Sequence, residues 1–215
     1  MIRHIAWDIG AENVALRLSE QLEAPLILAN YSRLLIDLNR PPRCATSIPK
    51  ISETTAIPGN IDLPDEEVQY RIDNLFWPFQ DRLTELVNAR IATGKPTIII
   101  GVHSFTPVYK NVARPWHAGI LFRRSQSFGA KLTRVLGGAA AKIAENEPYR
   151  IDDESDYTVP VHGEARGLDA VLVELRQDLI ADDKGAAEWA GRLSRALTDR
   201  CFDEFGATSR PAPSG

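Results

Sequence analysis

Residues 97–102, Thr-Ile-Ile-Ile-Gly-Val, form an unbroken run of strand-favouring residues with no polar alternation. A strand of this kind is buried on both faces, as in a parallel sheet covered by helices. Other short apolar runs predict strands at residues 25–29, 34–38, 118–122 and 169–175. Apolar residues at helical spacing predict helices at residues 11–23, 65–92, 126–143 and 186–205. Strands that alternate with helices predict an α/β fold, a three-layer sandwich with a mostly parallel or mixed central sheet.

The chain of 215 residues is long enough for one α/β domain with a substantial core. We expect a single domain over residues 1–206 and a disordered tail over residues 207–215. Pro78 lies inside the longest helical pattern and should kink or split it. Residues 40–65 carry five prolines and read as a long loop, a kind of segment that is often functional.

Composition narrows the range of partners and compartments. The formal net charge is −4 and there is no basic run, which argues against a nucleic-acid partner. The apolar runs are too short to span a bilayer, and the N-terminus shows no apolar signal region. Cys44 and Cys201 are too few for a disulfide framework and read as two reduced thiols. We therefore expect a cytoplasmic protein that has neither a nucleic acid nor a membrane as its partner.

Two titratable residues stand at the ends of predicted strands, where ligands bind in open α/β sheets. His103 directly follows the run at 97–102, which suits a zinc ligand or a base, although a strand-capping hydrogen bond explains it equally well. Glu174 lies inside the apolar strand at 169–175, where an unpaired carboxylate is costly to bury. It is either a general base with a raised pKa or the partner of Arg176, which shares its strand face.

Arg33, Asn39 and Arg40 cluster around the predicted strand at 34–38. Guanidinium groups bind carboxylates in a bidentate manner, and a neighbouring amide adds a directed donor. The alternative is that these arginines are ordinary surface residues that pair with Asp37 or with solvent. Asp8 stands just before the first predicted helix, where an N-cap is the simpler interpretation and a metal ligand near His103 is the other.

An ordered set of segments resembles the N-formylglutamate amidohydrolase family. The matching segments lie at residues 4–11, 31–41, 57–60, 103–107, 146–149, 156–163 and 174–180. Each is modest alone, but together they span nearly the whole chain in the family's order.

The resemblance implies a fold and site related to zinc-dependent carboxypeptidases, and hydrolysis of the amide of an N-acylated amino acid such as N-formyl-glutamate. It implies that His103 and Asp8 ligate Zn²⁺, or another divalent ion, and that Glu174 is the base that activates water. Arg33, Asn39 and Arg40 would clamp the substrate carboxylate. Arg176, His162 and Asn146 also lie in matching segments and are further candidates for substrate binding.

Members of this family usually begin with an apolar strand that ends in a motif of the type Asp-His-Ala-Ser-Asn. That strand and its histidine are not seen ahead of His4, so we expect a shortened chain or a form with a weakened metal site. Two alternatives to the hydrolase follow: a non-catalytic protein that binds small carboxylates, and an amidase or peptidase with another acyl substrate. The oligomeric state is not determined by the sequence.

Overall fold

A computed structural model describes residues 4–137 and 141–199. The helices are α1 (Ala11–Leu22), α2 (Asp65–Arg71), α3 (Trp77–Ala92), α4 (Gln126–Gly137) and α5 (Asp183–Leu197). The strands are β1 (Ile51–Ser52), β2 (Thr55–Ala56), β3 (Ile98–Phe105), β4 (Val108–Tyr109), β5 (Val112–Ala113), β6 (Ala118–Leu121), β7 (Ile143–Glu145) and β8 (Asp169–Arg176). Two π-helical turns, Ile72–Phe76 and Thr158–Gly163, and three short 3₁₀ turns complete the elements.

The central sheet has four strands in the order β3-β8-β6-β7. β3 is parallel to β8 and β6 is parallel to β7, while β6 runs antiparallel to β8. The sheet is therefore mixed, and the predicted α/β class is confirmed. The run at 97–102 was predicted to be buried on both faces, but within β3 only Ile99 and Phe105 are buried. Among the described residues β3 pairs with β8 alone and forms an edge of the sheet.

Helices cover both faces of this sheet. On one face, α1, α4 and α5 pack on alternate residues of the strands, including Val171, Val173 and Leu175 of β8. On the other face, Val87 of α3 packs with Ile99, Leu172 and residues of the second π-helical turn. The two sets of strand residues alternate because successive side chains of a strand point to opposite faces. None of the described helices is long and apolar enough to cross a membrane.

The helix predictions over 11–23 and 65–92 hold, and Pro78 does interrupt the regular helix. A π-helical turn at Ile72–Phe76 joins α2 to α3, and Pro78 occupies the first turn of α3. A proline lacks the N–H group and its ring crowds the preceding turn, so the wider π-helical turn accommodates it without ending the helix. Helix α4 ends at Gly137, short of the predicted end at residue 143, and Ile143 is the first residue of β7.

The predicted strands at residues 25–29 and 34–38 are wrong. Residues 25–29 have no strand assignment and no described strand pairs with them, and an apolar run needs such a neighbour to satisfy its backbone. Residues 34–38 are held by turns instead, for example by the bond from the N–H of Leu35 to the carbonyl of Ser32. Ile36 and Leu38 are buried against Ile72 and Phe76, so this segment contributes to the core without being a strand.

The predicted tail at 207–215 and the end of the last predicted helix lie outside the described residues. The long loop at 40–65 contains the β1–β2 hairpin and a short 3₁₀ turn at Pro58–Asn60. Asn60 fixes this loop to the segment before it, because its side-chain nitrogen donates to the carbonyls of Leu34 (2.7 Å) and Pro49 (2.9 Å). Its side-chain oxygen accepts a bond of 2.8 Å from Arg71 of α2.

Candidate active site

His103 and Glu174 are direct neighbours across the parallel pair β3 and β8. Glu174 lies two residues beyond Leu172, and His103 lies four residues beyond Ile99. Leu172 and Ile99 both pack with Val87 of α3, so the side chains of His103 and Glu174 lie on that face. Both also lie near the carboxyl ends of their strands. The sheet thus brings the predicted metal ligand and the predicted base together, at the edge where ligands bind in α/β folds.

Asp8 contacts His103 and does not cap helix α1. Its carboxylate Oδ2 lies 2.8 Å from Nδ1 of His103, and Oδ1 lies 3.5 Å from Nη1 of Arg33. Gly10 occupies the N-cap of α1 with φ of 78° and no side chain caps this helix, so the N-cap interpretation of Asp8 is wrong. Burial raises the pKa of Asp8, but the hydrogen bond and charge of His103, with the charge of Arg33, outweigh burial and leave the pKa below its ordinary value.

The imidazole of His103 is stabilised in its protonated form. Burial lowers its pKa, but the hydrogen bond and charge of Asp8 and the charge of Glu174 outweigh burial and raise the pKa to about 9. The alternative in which His103 merely caps the strand through its backbone is not needed, since its ring has a carboxylate partner.

Glu174 is a buried carboxylate without a complete set of partners. It is 7% exposed, and its Oε2 is buried with no hydrogen-bond partner in the described part of the chain. Burial raises its pKa to about 7, and the charge of Asp8 adds to that rise against the opposing charges of His103 and Arg33. The alternative pairing with Arg176 is wrong, because Arg176 binds Asp178 through two bonds of 2.8 and 3.2 Å.

The clamp residues surround one shared carboxylate, that of Asp37. Arg33 donates to Oδ2 of Asp37 through Nε (3.2 Å) and Nη2 (2.7 Å), and Nε of Arg40 lies 3.7 Å from the same oxygen. Arg40 also donates from Nη1 to the carbonyl of Ser155. The predicted pairing of Arg33 with Asp37 is therefore present, and it also holds the guanidinium in place within the site.

Asn39 connects this segment to the loop before the second π-helical turn. Its side-chain nitrogen donates to Asp156 at 3.3 Å, and its side-chain oxygen accepts from the N–H groups of Thr158 (2.9 Å) and Tyr157 (3.4 Å). These bonds fix the amide beside Arg40 and leave it few free groups for a substrate.

One cavity of about 660 Å³ unites most of the predicted site. Its wall includes Asp8, Arg33, Asn39, Arg40, His103 and Glu174. Asn146, His162 and Arg176 do not belong to this wall as the described residues form it. Their predicted part in substrate binding remains a prediction, and the structure gives each of them other partners.

Those other partners are internal. Asn146 accepts a bond of 2.9 Å from the N–H of Phe122. His162 is 1% exposed and its Nε2 lies 2.7 Å from Oε1 of Gln80. Arg176 is paired with Asp178, as described above.

Three further residues belong to the site and were not predicted for it. Asp37 orients the arginines, Tyr149 lines the cavity, and Arg114 donates a bond of 2.9 Å to the Tyr149 hydroxyl. Asp37 stands between the two arginines in the sequence, so its spacing signalled the pairing. Arg114 and Tyr149 carried no such signal, because 35 residues separate them in the chain.

The resemblance implies a zinc ion, and the donors present are one short of a catalytic zinc site. The described residues contain no group of three or more His, Cys, Asp or Glu placed to hold a metal ion. A catalytic zinc takes three protein ligands, whereas here His103 and Asp8 are two, and they bind each other. The described residues alone therefore do not fit that site.

Comparison with known proteins places this arrangement in context. A family model described as N-formylglutamate amidohydrolase matches residues 1–181. Among solved structures, the gene product Atu2144 from Agrobacterium tumefaciens is 37% identical with a TM-score of 0.87, over 92% of this chain and 80% of that one. The N-formylglutamate amidohydrolase from Ralstonia eutropha JMP134 is 19% identical with a TM-score of 0.62, over 86% of this chain and 78% of that one, a likeness of fold. A comparison with curated proteins finds no significant match.

Proposed function

Since the chain belongs to the N-formylglutamate amidohydrolase family, we propose that it hydrolyses the amide bond of an N-acylated amino acid, with N-formyl-glutamate as the reference substrate. The products are a small carboxylic acid and the free amino acid. The family supports an amidohydrolase role, and the substrate is our proposal.

The observation that carries the proposal is the state of Glu174. A buried carboxylate that has a pKa of about 7, and an oxygen with no partner among the described residues, suits a general base that takes a proton from water near neutral pH. The same group can return that proton to the leaving nitrogen, which an amide requires because an amide anion is a poor leaving group. Glu174 thus serves both half-steps without any change in the net protonation of the site.

The arginines supply binding and orientation. Arg33 and Arg40 lie on the wall of the cavity that contains Glu174, and guanidinium groups bind carboxylates in a directed way. A carboxylate held there fixes the position of the amide next to the base, and this positioning contributes to the rate by reducing the freedom of the reactants.

We also propose that a divalent cation, Zn²⁺ by the resemblance, acts with this site, with His103 and Asp8 as two of its ligands. When bound, such an ion lowers the pKa of water and polarises a carbonyl. The proposal requires that His103 lose its second proton when the ion binds, because only the neutral imidazole ligates a metal. Because the described donors are one short, it also requires a third ligand, and no step above depends on the ion.

The test is release of the free amine from N-formyl-L-glutamate, with N-acetyl-L-glutamate and a dipeptide measured in parallel, before and after incubation with Zn²⁺. Glu174→Gln should lower kcat by at least about 100-fold, since removal of a general base loses about two to four orders of magnitude. Glu145→Gln makes the same change at an exposed position of β7 and serves as the control. Equal rates for Glu174→Gln and the wild type would refute the role of Glu174.

The shortage of metal ligands favours one second candidate, a non-catalytic protein that binds small carboxylates through Arg33 and Arg40. It predicts that glutarate binds while none of the three substrates is turned over, with or without Zn²⁺. Turnover of any of them removes this candidate.

A further inference from the structure

Arg114 is an arginine beside the site that pairs with no carboxylate among residues 4–137 and 141–199. It directly follows the β4–β5 hairpin, and its N–H bonds to the carbonyl of Pro107 at 2.8 Å. Among the described residues, Arg33 and Arg40 form ion pairs with Asp37, whereas Arg114 forms none. Its described side-chain hydrogen bond goes to a neutral group, the hydroxyl of Tyr149.

Aromatic rings hold this guanidinium in a fixed position. Its central carbon lies 4.6 Å from the ring centre of Tyr109, 4.9 Å from that of Tyr149 and 5.8 Å from that of Phe105. Rings stack on the faces of a guanidinium, and such contacts are favourable when the group is partly shielded from water. The N–H groups lie in the plane of the guanidinium. Among the described residues only Nη1 has a partner, the Tyr149 hydroxyl, so Nε and Nη2 remain for an acceptor.

Tyr149 places this cation next to the proposed catalytic groups. It lines the cavity together with Glu174 and Arg33. Arg114 is also close enough to Glu174 for its charge to lower the pKa of that carboxyl, against the larger effect of burial. Arg114 therefore lies within electrostatic range of the proposed base and contacts the cavity wall through Tyr149, in a different part of the chain from the clamp at residues 33–40.

We propose that Arg114 is a specificity-determining residue that binds a second carboxylate of the substrate, so that acidic N-acyl amino acids are preferred over their neutral analogues. This inference rests on the proposed function. The clamp takes one carboxylate, the amide lies at Glu174, and the free edge of Arg114 takes the other carboxylate in the bidentate geometry that a fixed guanidinium favours. Tyr109, Tyr149 and Phe105 act as positioning residues by holding the guanidinium.

The test compares N-formyl-L-glutamate with N-formyl-L-glutamine, which differ in one charge. Arg114→Gln should lower kcat/KM for the glutamate substrate by about 10- to 100-fold, as expected for loss of hydrogen bonds to a charged group, and mainly through KM. For the glutamine substrate, kcat/KM should change by no more than about twofold, because its side chain carries no charge for Arg114 to bind. Lys110→Ala removes the other cation of the same hairpin, which lies 5.4 Å from the Tyr109 ring, and should leave both substrates unchanged.

Two conservative variants separate binding from folding. Arg114→Lys keeps the charge without the planar fork, so its kcat/KM for the glutamate substrate should fall less than that of Arg114→Gln. The lysine variant also provides the test if the glutamine variant does not fold. Tyr149→Phe keeps the stacked ring and removes the hydroxyl, and should weaken the preference for glutamate by less than either. An equal loss on both substrates, or no loss on either, overturns the proposal.

A binding measurement distinguishes failure of this inference from failure of the proposed function. Calorimetry with glutarate and with its monoamide requires no turnover. Arg114→Gln should raise the dissociation constant of glutarate by at least about 10-fold and leave that of the monoamide unchanged. If the wild type hydrolyses none of the substrates but Arg114→Gln weakens the binding of glutarate alone, the proposed reaction fails and Arg114 keeps its role. If the substitution changes the binding of glutarate and of its monoamide equally, the role of Arg114 is refuted.

Discussion

Acid is expected to destabilise this protein through His162, and the hydrogen bonds around it explain why. The side-chain nitrogen of Gln80 donates to the carbonyl of Leu38 at 2.7 Å, so the Gln80 oxygen must accept the bond of 2.7 Å from Nε2 of His162. The proton of the neutral ring is thus on Nε2. Nδ1 is buried without a partner in the described part of the chain, so a second proton would have no acceptor there.

The size of the effect follows from the pKa. Burial, with a smaller effect from the charge of Arg166, lowers the pKa of His162 from 6.5 to about 4. The unfolded chain therefore takes up this proton below pH 6.5 and the folded chain only near pH 4. The contribution of neutral His162 is fully present above that window and is lost as the pH falls through it. Each pKa unit corresponds to about 1.4 kcal/mol, so about 2 kcal/mol should be lost between pH 7.5 and 5.0.

Urea unfolding of the wild type and of His162→Gln at pH 7.5 and 5.0 measures this contribution. The loss of unfolding free energy on acidification should be about 2 kcal/mol larger for the wild type, because glutamine does not titrate. A lower stability of the variant at both pH values does not affect this test, because the quantity compared is the change in unfolding free energy between pH 7.5 and pH 5.0 in each protein. Equal losses in the two proteins would show that His162 is not held neutral as described.

Three further changes test the clamp, the loop beside it and the close packing of β6. Arg40→Ala should raise KM for a carboxylate-bearing substrate by about 10-fold or more, and change its amide analogue less, in steady-state assays. Asn60→Ala removes two bonds to backbone carbonyls and one from the guanidinium at the end of α2, and should lower the free energy of unfolding by about 2 to 4 kcal/mol in urea. Gly119→Ala would put Cβ 1.7 Å from the carbonyl oxygen of Glu147, so its melting temperature should fall strongly, whereas Gly59→Ala, with open space around it, should change little in the same thermal scan.

The strands of the core were predictable because their own sequences require burial on both faces. β8 and β6 are buried along nearly their whole length, and the runs at 169–175 and 118–122 match them within one residue. Periodicity also located α1 and α5, whose buried residues repeat at helical spacing, although α5 begins three residues before its predicted start.

The two wrong strands show the limit of that reasoning. Residues 25–29 and 34–38 have strand-like composition, but a strand also needs a partner, and a pattern of side chains carries no information on what lies beside it. In the second case, Ser32, Asp37 and Ser47 offer polar groups that satisfy the backbone as turns. Local hydrogen bonding thus prevailed over propensity.

The candidate site could be found in part because strand order forces some of it together. Because β3 and β8 are parallel neighbours, residues near their carboxyl ends lie at the same end of the sheet, and the observed register places His103 opposite Glu174. Asp8 was ambiguous from sequence, since an acidic residue ahead of a helix is ordinarily a cap, and only the fold shows that Gly10 takes that position while Asp8 turns to His103. His162, Asn146 and Arg176 lie near these elements in sequence but are engaged elsewhere, which no pattern could show.

The charges of Arg33 and Arg40 are partly balanced by carboxylates of the protein itself. Both share the carboxylate of Asp37, and Arg33 also lies near Asp8, so part of their attraction is already used within the protein. Such pairing fixes the guanidinium groups in place, which favours a directed contact over a strong one. A substrate with two carboxylates then depends on a cation that is not shared in this way, and among the arginines discussed above that description fits Arg114, whose described partners are aromatic rings and a hydroxyl.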